Sequence, residues 1–349
     1  MRYRDAGVDI NAASRAKSQI KELVSSTFNP RVLKGFGAFG GFFSLKGLPS
    51  DAVLVSSMDG VGTKLKVAFA ANRHKSVAAD LVFHSVNDIA VHGARPLFFL
   101  DYLATGKIRP KVVTDIIRGL SDACRQVGCA LIGGETAQMP GFYAANEYDL
   151  AGSIVGWVRQ REILDGSRIR PGDVVLGLPS LGLHTNGYSL ARKVLIEQAG
   201  IGFSDYVPEL GRRLDDELLA PHRCYGPLLQ PLHQRGWLAG LVHVTGGGIT
   251  DNTPRILPAQ CQAEIHLGSW PVPPVFSLIS KLGKVRQAEM LRTFNMGLGM
   301  LLIVPKKNVE NVARALKRKK EKFWVVGSIV RGQTGVKYLA GHSGFAQES

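Results

Sequence analysis

Cysteine is scarce in this chain and follows no pattern. Cys124, Cys129, Cys224 and Cys261 have no Cys-x-x-Cys spacing and no partnered histidines, so a disulfide scaffold or a zinc ribbon is not indicated. Free, buried thiols in a reducing cytoplasm are the expectation. Long apolar runs are missing too. Stretches such as Pro96 to Leu100 are far shorter than the about 20 residues a membrane helix needs. The first residues, Met1-Arg2-Tyr3-Arg4-Asp5, are polar and no apolar signal core follows, while Asp5, Asp9 and Glu22 interrupt the basic residues a transit peptide requires. No short-period repeat and no low-complexity tract is present. These absences point to a cytoplasmic globular protein with no membrane partner.

What is abundant is ordinary, with one exception. Apolar residues make up 45% and charged residues 20% of 349, enough for two hydrophobic cores. The exception is a net charge of +15. Much of it lies in Lys306-Lys307 and in Arg314 to Lys322, where Val309, Val312, Ala313 and Leu316 form a helical apolar stripe. Aromatic residues are not interleaved there as stacking platforms, so a solvated helix face is preferred over nucleic-acid binding. Attraction of anionic small molecules is a second use of the charge.

Strand and helix patterns alternate along both halves, which predicts an α/β chain with α+β layering. Expected strands cover Ala52 to Ser57, Leu97 to Ala104, Ala130 to Ile132 and Leu150 to Val158, with helices over Asn11 to Ser26, Ser76 to His92 and Pro110 to Val127. A break near Asp165-Gly166-Ser167 separates residues 1–166 from 167–349. The second half predicts a strand at Val174 to Leu178 and helices over Ser189 to Glu197 and Asp215 to Leu232. Strands at Leu241 to Val244, Ala263 to Ile265, Gly299 to Val304 and Trp324 to Ile329 follow.

Several segments set acidic, amide or histidine side chains beside glycine. Asp59-Gly60-Val61-Gly62-Thr63-Lys64 closes an apolar strand; its glycines allow close main-chain approach to a phosphate and its lysine offers a point charge. It lacks P-loop spacing, and a tight hairpin turn is the plainer alternative. On the following helix Asp80, His84, Asn87 and Asp88 share one face without lysine or arginine, which suits a cation site or a wet surface. Glu135-Thr136 follows Gly133-Gly134 at the expected end of a short strand, where α/β sheets meet ligands, or where a carboxylate caps a turn. His184-Thr185-Asn186-Gly187 precedes a helix that Asn186 could cap. Thr245-Gly246-Gly247-Gly248 offers main-chain N–H groups to an anion or forms a flexible loop. Asn295 adds an amide beside Met296-Gly297, and Gly35 to Gly41 form a glycine-rich loop. Acidic oxygens suit Mg²⁺, and glycine with lysine suits phosphate, so a magnesium nucleotide is the ligand such a mixture fits.

In order along the chain these motifs resemble the aminoimidazole ribonucleotide synthetase (phosphoribosylformylglycinamidine cyclo-ligase) family of the PurM-like ATP-binding superfamily. The resemblance runs from Tyr3-Arg4-Asp5-Ala6-Gly7-Val8-Asp9-Ile10 through Asp59 to Lys64, Pro96 to Tyr102, Gly133 to Gly141, His184 to Leu190, Thr245 to Gly248 and Arg292 to Met300. It implies a homodimer whose N-terminal sheets join into a barrel. It also implies an N-terminal ATP- and Mg²⁺-binding domain and a C-terminal substrate domain. The implied reaction spends ATP to cyclise formylglycinamidine ribonucleotide to 5-aminoimidazole ribonucleotide in purine biosynthesis, through a phosphorylated amide. On that scheme Asp59, Asp88 and Glu135 hold Mg²⁺. Gly37, Gly40, Gly60, Gly62, Thr63, Lys64, Asn87 and Thr136 join them around ATP. His184, Thr185, Asn186, Gly246, Gly247, Gly248 and Asn295 take the substrate, while His184, Lys64 and Asp59 are the catalytic candidates. Two departures stand out: Gln138 replaces a glutamate frequent in the family, and the basic charge differs from often acidic members. A sibling ATP-dependent phosphotransferase is the alternative. Selenophosphate synthetase fits poorly because no cysteine precedes Cys124, and thiamine monophosphate kinase would not carry the Pro96 and Arg292 segments together.

Overall fold

The computed structural model describes residues 20–340 apart from Phe36 and Ala38. Most of the expected first helix and the Tyr3 to Ile10 motif lie outside that range. The described residues fall into two compact units: residues up to 89 with 94–161, and residues 90–93 with those from 162 onward.

In the first unit a short helix α1 (residues 20–25) precedes β1 (Ala52–Gly60), α2 (Lys64–Ala71), α3 (Lys75–Ala90), β2 (Arg95–Thr105), α4 (Pro110–Gln126), β3 (Ala130–Gln138) and β4 (Tyr148–Arg159). The sheet order is β1-β4-β2-β3, antiparallel except for the β2/β3 pair. Strand β4 shows why helices cover only one face. Tyr148, Leu150, Ile154 and Val158 alternate inward with Gly152 and Gly156. A Cβ at Gly152 would overlap Phe99, and one at Gly156 would overlap Ile89, so these glycines let α3 and neighbouring rings lie close to the sheet. The other face is open. Leu54, Met58, Leu100 and Tyr102 stand exposed on it, although an unpaired sheet face of that composition is normally covered.

Two strands run further than the sequence pattern suggests. Strand β1 extends through Asp59 and Gly60, which removes the hairpin reading of that motif, and the chain turns only at Gly62 before α2. Strand β3 continues past Gly133-Gly134 to Gln138, so Glu135 sits within the strand rather than at its end. Cross-strand pairing with Tyr102 of β2 outweighs the low strand propensity of two glycines.

The second unit contains β5 (Val174–Pro179), α5 (Tyr188–Arg192) continued by π-helix to Gln198, β6 (Tyr206–Val207), β7 (Arg212–Arg213), α6 (Leu214–Leu218), α7 (Gly226–Gln234) and β8 (Gly240–His243). After these come α8 (Gly248–Asn252), β9 (Cys261–His266), α9 (Pro274–Gly283), α10 (Gln287–Thr293), β10 (Leu298–Val304), α11 (Val309–Arg318), β11 (Trp324–Arg331) and β12 (Gly335–Leu339). Six strands order as β12-β9-β11-β5-β10-β8, with only the β12/β9 pair parallel. Every residue of β10 is buried because the sheet is packed on both faces. Leu301 and Ile303 enter one core with Ile265 and Val326, whereas Met300, Leu302 and Val304 enter another with Leu229, Val312 and Leu316. Helix α11 presents Arg314, Lys317 and Arg318 to solvent, so its basic block is the wet side of a packed helix.

The single helix expected over Asp215 to Leu232 is broken into α6 and α7. Pro221 cannot donate a helical N–H and disfavours the helical conformation of Ala220 before it, so residues 219–225 leave the helix although the apolar spacing continues. Histidine 222 stands in that gap. All four cysteines are free, and the Cys124 thiol is held well above its ordinary pKa by its hydrogen bond to Cys129 and by burial.

Candidate functional site

The polar face of α3 is not a wet surface. Asp80 and Asn87 are fully buried and His84 nearly so. A helix buried this completely must pair its charges, and it does so in two tiers. In the deeper tier Lys64, the first residue of α2, reaches Asp80 at 2.6 Å, both side chains fully buried. In the upper tier His84 Nε2 lies 3.2 Å from Asp59 Oδ2 and 3.6 Å from Asp88 Oδ2. Ser57 Oγ donates to Asp88 Oδ2 at 3.2 Å. Burial opposes a charge on His84. The hydrogen bond to Asp59 and the nearby carboxylates of Asp88, Asp59 and Asp80 outweigh it and raise the imidazole pKa.

Asp59 and Asp88 thus meet at the lip of the sheet, 35% and 25% exposed, where their oxygens remain accessible to a hard divalent cation. The donor chemistry fits Mg²⁺. Lys64 pairs with Asp80 inside the unit, because the first turn of α2 aims its side chain inward, away from exposed Gly62 and Thr63.

Glu135 is also separate within one chain. Asp59 pairs with Gly152, Gly152 with Asp101, and Asp101 with Gly134, so that row shares the helix-covered face. Glu135 pairs with Tyr102 and stands one residue out of phase, on the open face with Leu100 and Tyr102 as near neighbours. The loop glycines 37 and 40 are surrounded by open space, and Gly37 has φ +100°. Asn87 is buried beneath the lip, while Thr136 on β3 is half-buried.

One acid escaped the sequence reading. Asp101 is buried, and its carboxyl is pushed up to about 7 by desolvation, with its own backbone N–H opposing and Glu135 adding to the rise. It leans over Gly134, where a Cβ would overlap its Oδ1. Strand alternation did carry the signal: Asp101 shares parity with Phe99 and Leu103, both buried.

In the second unit the His184, Gly246 and Asn295 segments converge. His184 has φ +62° and is buried; its Nε2 accepts the Leu181 N–H at 3.2 Å, so a neutral ring carries its proton on Nδ1. That tautomer presents Nδ1 as a donor. Gly299 makes room for it, since a Cβ there would overlap the Tyr225 hydroxyl and the His184 ring. Half-buried Thr185 and Asn186 lie closer to solvent, and a Cβ on Gly246 would come within 3.1 Å of Asn186 Oδ1. Gly247 and Gly248 have φ of +99° and +59°, and a Cβ on Gly248 would overlap the Leu291 carbonyl.

Asn295 is spent internally. Its Oδ1 accepts from Gly297 N–H at 2.8 Å and Ser180 Oγ at 3.0 Å, and its Nδ2 donates to the Gly182 carbonyl at 2.9 Å. Its amide therefore braces the 180–182 turn. Two histidines that no motif flagged extend this group: His222 lies against His184 with ring centroids 4.2 Å apart, and His243 lies against His222 with centroids 5.2 Å apart.

Comparison with known proteins agrees across both units. Residues 43–158 match the family model of AIR synthase related protein, N-terminal domain, and residues 170–339 match its C-terminal domain. The phosphoribosylformylglycinamidine cyclo-ligase of Citrifermentans bemidjiense is 50% identical over 334 residues, 95% of this chain and 96% of that protein. The enzyme of the same name from Geobacter sulfurreducens is 48% identical over 338 residues, 97% of each. Among solved structures, thiamine-monophosphate kinase from Stenotrophomonas maltophilia superposes with a TM-score of 0.67 at 18% identity, covering 93% of this chain and 94% of that one. Hydrogenase maturation protein HypE in complex with ATP gives 0.68 at 19% identity, covering 94% and 91%. These two likenesses speak for the fold. Among the described residues no helix is long and apolar enough to cross a membrane.

Proposed function

The chain belongs to the AIR synthase related family as a phosphoribosylformylglycinamidine cyclo-ligase of de novo purine biosynthesis, and on that premise we propose how its residues drive ring closure. The amide oxygen of formylglycinamidine ribonucleotide attacks the γ-phosphorus of ATP and ADP leaves. The resulting imidoyl phosphate carries a good leaving group where the neutral amide had none. The ring-closing nitrogen attacks that carbon, the C–O bond to phosphate breaks, and the nitrogen gives up a proton. Positioning and electrostatics do most of this work, as in phosphoryl transfer generally.

The observation that carries the assignment is the Asp59–His84–Asp88 group at the lip of the sheet, two partly exposed carboxylates flanking one imidazole. Asp59 and Asp88 would hold Mg²⁺, which when bound offsets negative charge on the triphosphate. Lys64 supports them from below by fixing α2 against α3 through Asp80. Gly60, Gly62 and Thr63 bring main chain to the phosphates, and Gly37 and Gly40 give the preceding loop freedom to cover the nucleotide.

Glu135 enters by a different route. The open face carrying Leu54, Met58, Leu100 and Tyr102 is suited to pairing with a second copy, and pairing there would let Glu135 serve a neighbouring copy's nucleotide. In the second unit Thr185 and Asn186 would orient the ribonucleotide. The Gly246-Gly247-Gly248 turn would take its 5′-phosphate on main-chain N–H groups. Incubation of the purified protein with ATP, Mg²⁺ and formylglycinamidine ribonucleotide should yield aminoimidazole ribonucleotide and ADP in equal amounts. ADP without the aminoimidazole would assign the chain to a sibling phosphotransferase instead.

A further inference from the structure

Packing explains one side of α11 and not the other. Val312 and Leu316 are buried in the core that also holds Leu229 and Leu232, which fixes the helix and leaves Arg314, Lys317 and Arg318 on its outer side. A wet helix face needs polarity, whereas this one sets three cations against Glu310 alone. Arg314 and Arg318 are four residues apart and Arg314 and Lys317 three, spacings at which like charges repel on a helix. The excess continues past both ends. Lys306 and Lys307 precede the helix, and Lys319, Lys320 and Lys322 follow it, all exposed. The second acid of the segment, Glu321, is held by Arg223.

No aromatic residue is interleaved between Lys306 and Lys322, but the fold brings one to the segment from elsewhere. Asn308 Nδ2 donates to the Trp237 carbonyl at 3.4 Å, so the turn after α7 lies beside Lys306 and Lys307. The Trp237 ring packs against the same core as α11, and the guanidinium of Arg235 lies over it, 4.9 Å from the ring centroid. Arg235 is exposed. The ring thus holds a planar cation flat, with a face on which an unstacked base can lie. With its Nδ2 spent on Trp237, Asn308 keeps Oδ1 as an acceptor for a hydroxyl, which ribose carries at its 2′ position and deoxyribose lacks.

We infer that the outer side of α11, with the Arg235–Trp237 pair beside its start, is a docking surface for single-stranded RNA. The lysines and arginines take phosphates, Arg235 takes a base and Asn308 a 2′-hydroxyl. The ten residues of α11 extend about 15 Å, along which a stacked strand sets about four phosphates at about 3.4 Å each. A duplex offers the same phosphates but keeps its bases stacked away from Arg235.

The test measures binding of a fluorescein-labelled 15-nucleotide oligouridine to the full chain by fluorescence anisotropy over a salt series. Oligodeoxyuridine and polyglutamate of equal length serve as competitors. With about four phosphates neutralised, log K should fall with log salt with a slope of about −3. Oligodeoxyuridine should compete at least about three-fold more weakly, and polyglutamate at least about ten-fold more weakly. Arg314→Gln/Lys317→Gln/Arg318→Gln should lower RNA affinity about ten-fold or more and flatten the slope by about 2. Arg235→Lys keeps the charge and loses the plane, so it should weaken RNA binding about five-fold or more with the slope unchanged. Cyclo-ligase turnover should be the same in both variants and the wild type. A triple variant that binds RNA like the wild type overturns the inference, as does RNA binding without salt dependence. Polyglutamate competing as well as RNA would make the surface a dock for an acidic protein instead, and oligodeoxyuridine competing equally would remove the choice of RNA.

Discussion

Replacing Asp101 with asparagine should make the protein more stable at alkaline pH and leave it nearly unchanged in acid. The folded-state carboxyl is raised from 3.8 to about 7, chiefly because burial disfavours its charge. Between those values the folded chain keeps a proton that the unfolded chain has released. Stability therefore falls as pH rises through that window, and the full cost is present above about pH 7. A rise from 3.8 to about 7 corresponds to roughly 4 kcal/mol at about 1.4 kcal/mol per pH unit. Asparagine has the same shape and no proton to lose, so the Asp101→Asn advantage should grow from near zero at pH 4 towards a few kcal/mol at pH 8. Urea titrations of metal-free, nucleotide-free protein across that range give the difference directly, provided the slope m is equal in both proteins. A stability difference that stays flat with pH would show that burial does not hold the Asp101 proton. It would mean that the Asp101 carboxylate finds a compensating donor or cation.

Other consequences follow from the same geometry. Lys64→Met should cost about 3–5 kcal/mol because it leaves Asp80 charged and buried, whereas Lys64→Met with Asp80→Leu should recover most of that loss in the same urea titrations. Gly134→Ala should destabilise by about 1–3 kcal/mol, read as a lowered Tm, since the added methyl overlaps the Asp101 carboxyl. His84→Gln should lose stability mainly at low pH. The raised pKa of His84 makes its contribution full below the unfolded value and lost as pH rises through the folded one, so the variant and wild type should converge in alkaline buffer. Asp88→Asn should weaken Mg²⁺ binding by calorimetry and cost about 3–5 kcal/mol in kcat/KM; unaltered binding and turnover would remove the metal assignment.

Much of the fold was legible because period and punctuation agree. The apolar run to Ser57, the helix around Asn87-Asp88 and the fully apolar β10 all read correctly as element type. Failures occurred where pairing or a proline overrode local pattern. Glycines at 133 and 134 suggested a strand end, but eight paired residues of β2 carry β3 onward to Gln138. Pro221 broke a helix whose apolar spacing continued across it, which hid His222 in an irregular segment. The site was legible in residue type and less so in direction. Asp59 and Asp88 meet as their motifs suggest, yet Lys64, adjacent to the same glycines, turns inward. Glu135 differs in sheet parity from Asp59, and Asn295 spends its amide on its own turn. Sequence adjacency names candidates; side-chain direction and register decide which of them share a face.

On the proposed mechanism, ATP activates the substrate by phosphorylating its amide oxygen. Substrate carrying ¹⁸O in that amide tests it in one turnover experiment with mass analysis of the products. One labelled oxygen is expected in the released phosphate and none in water. Label recovered in water, with unlabelled phosphate, would contradict it.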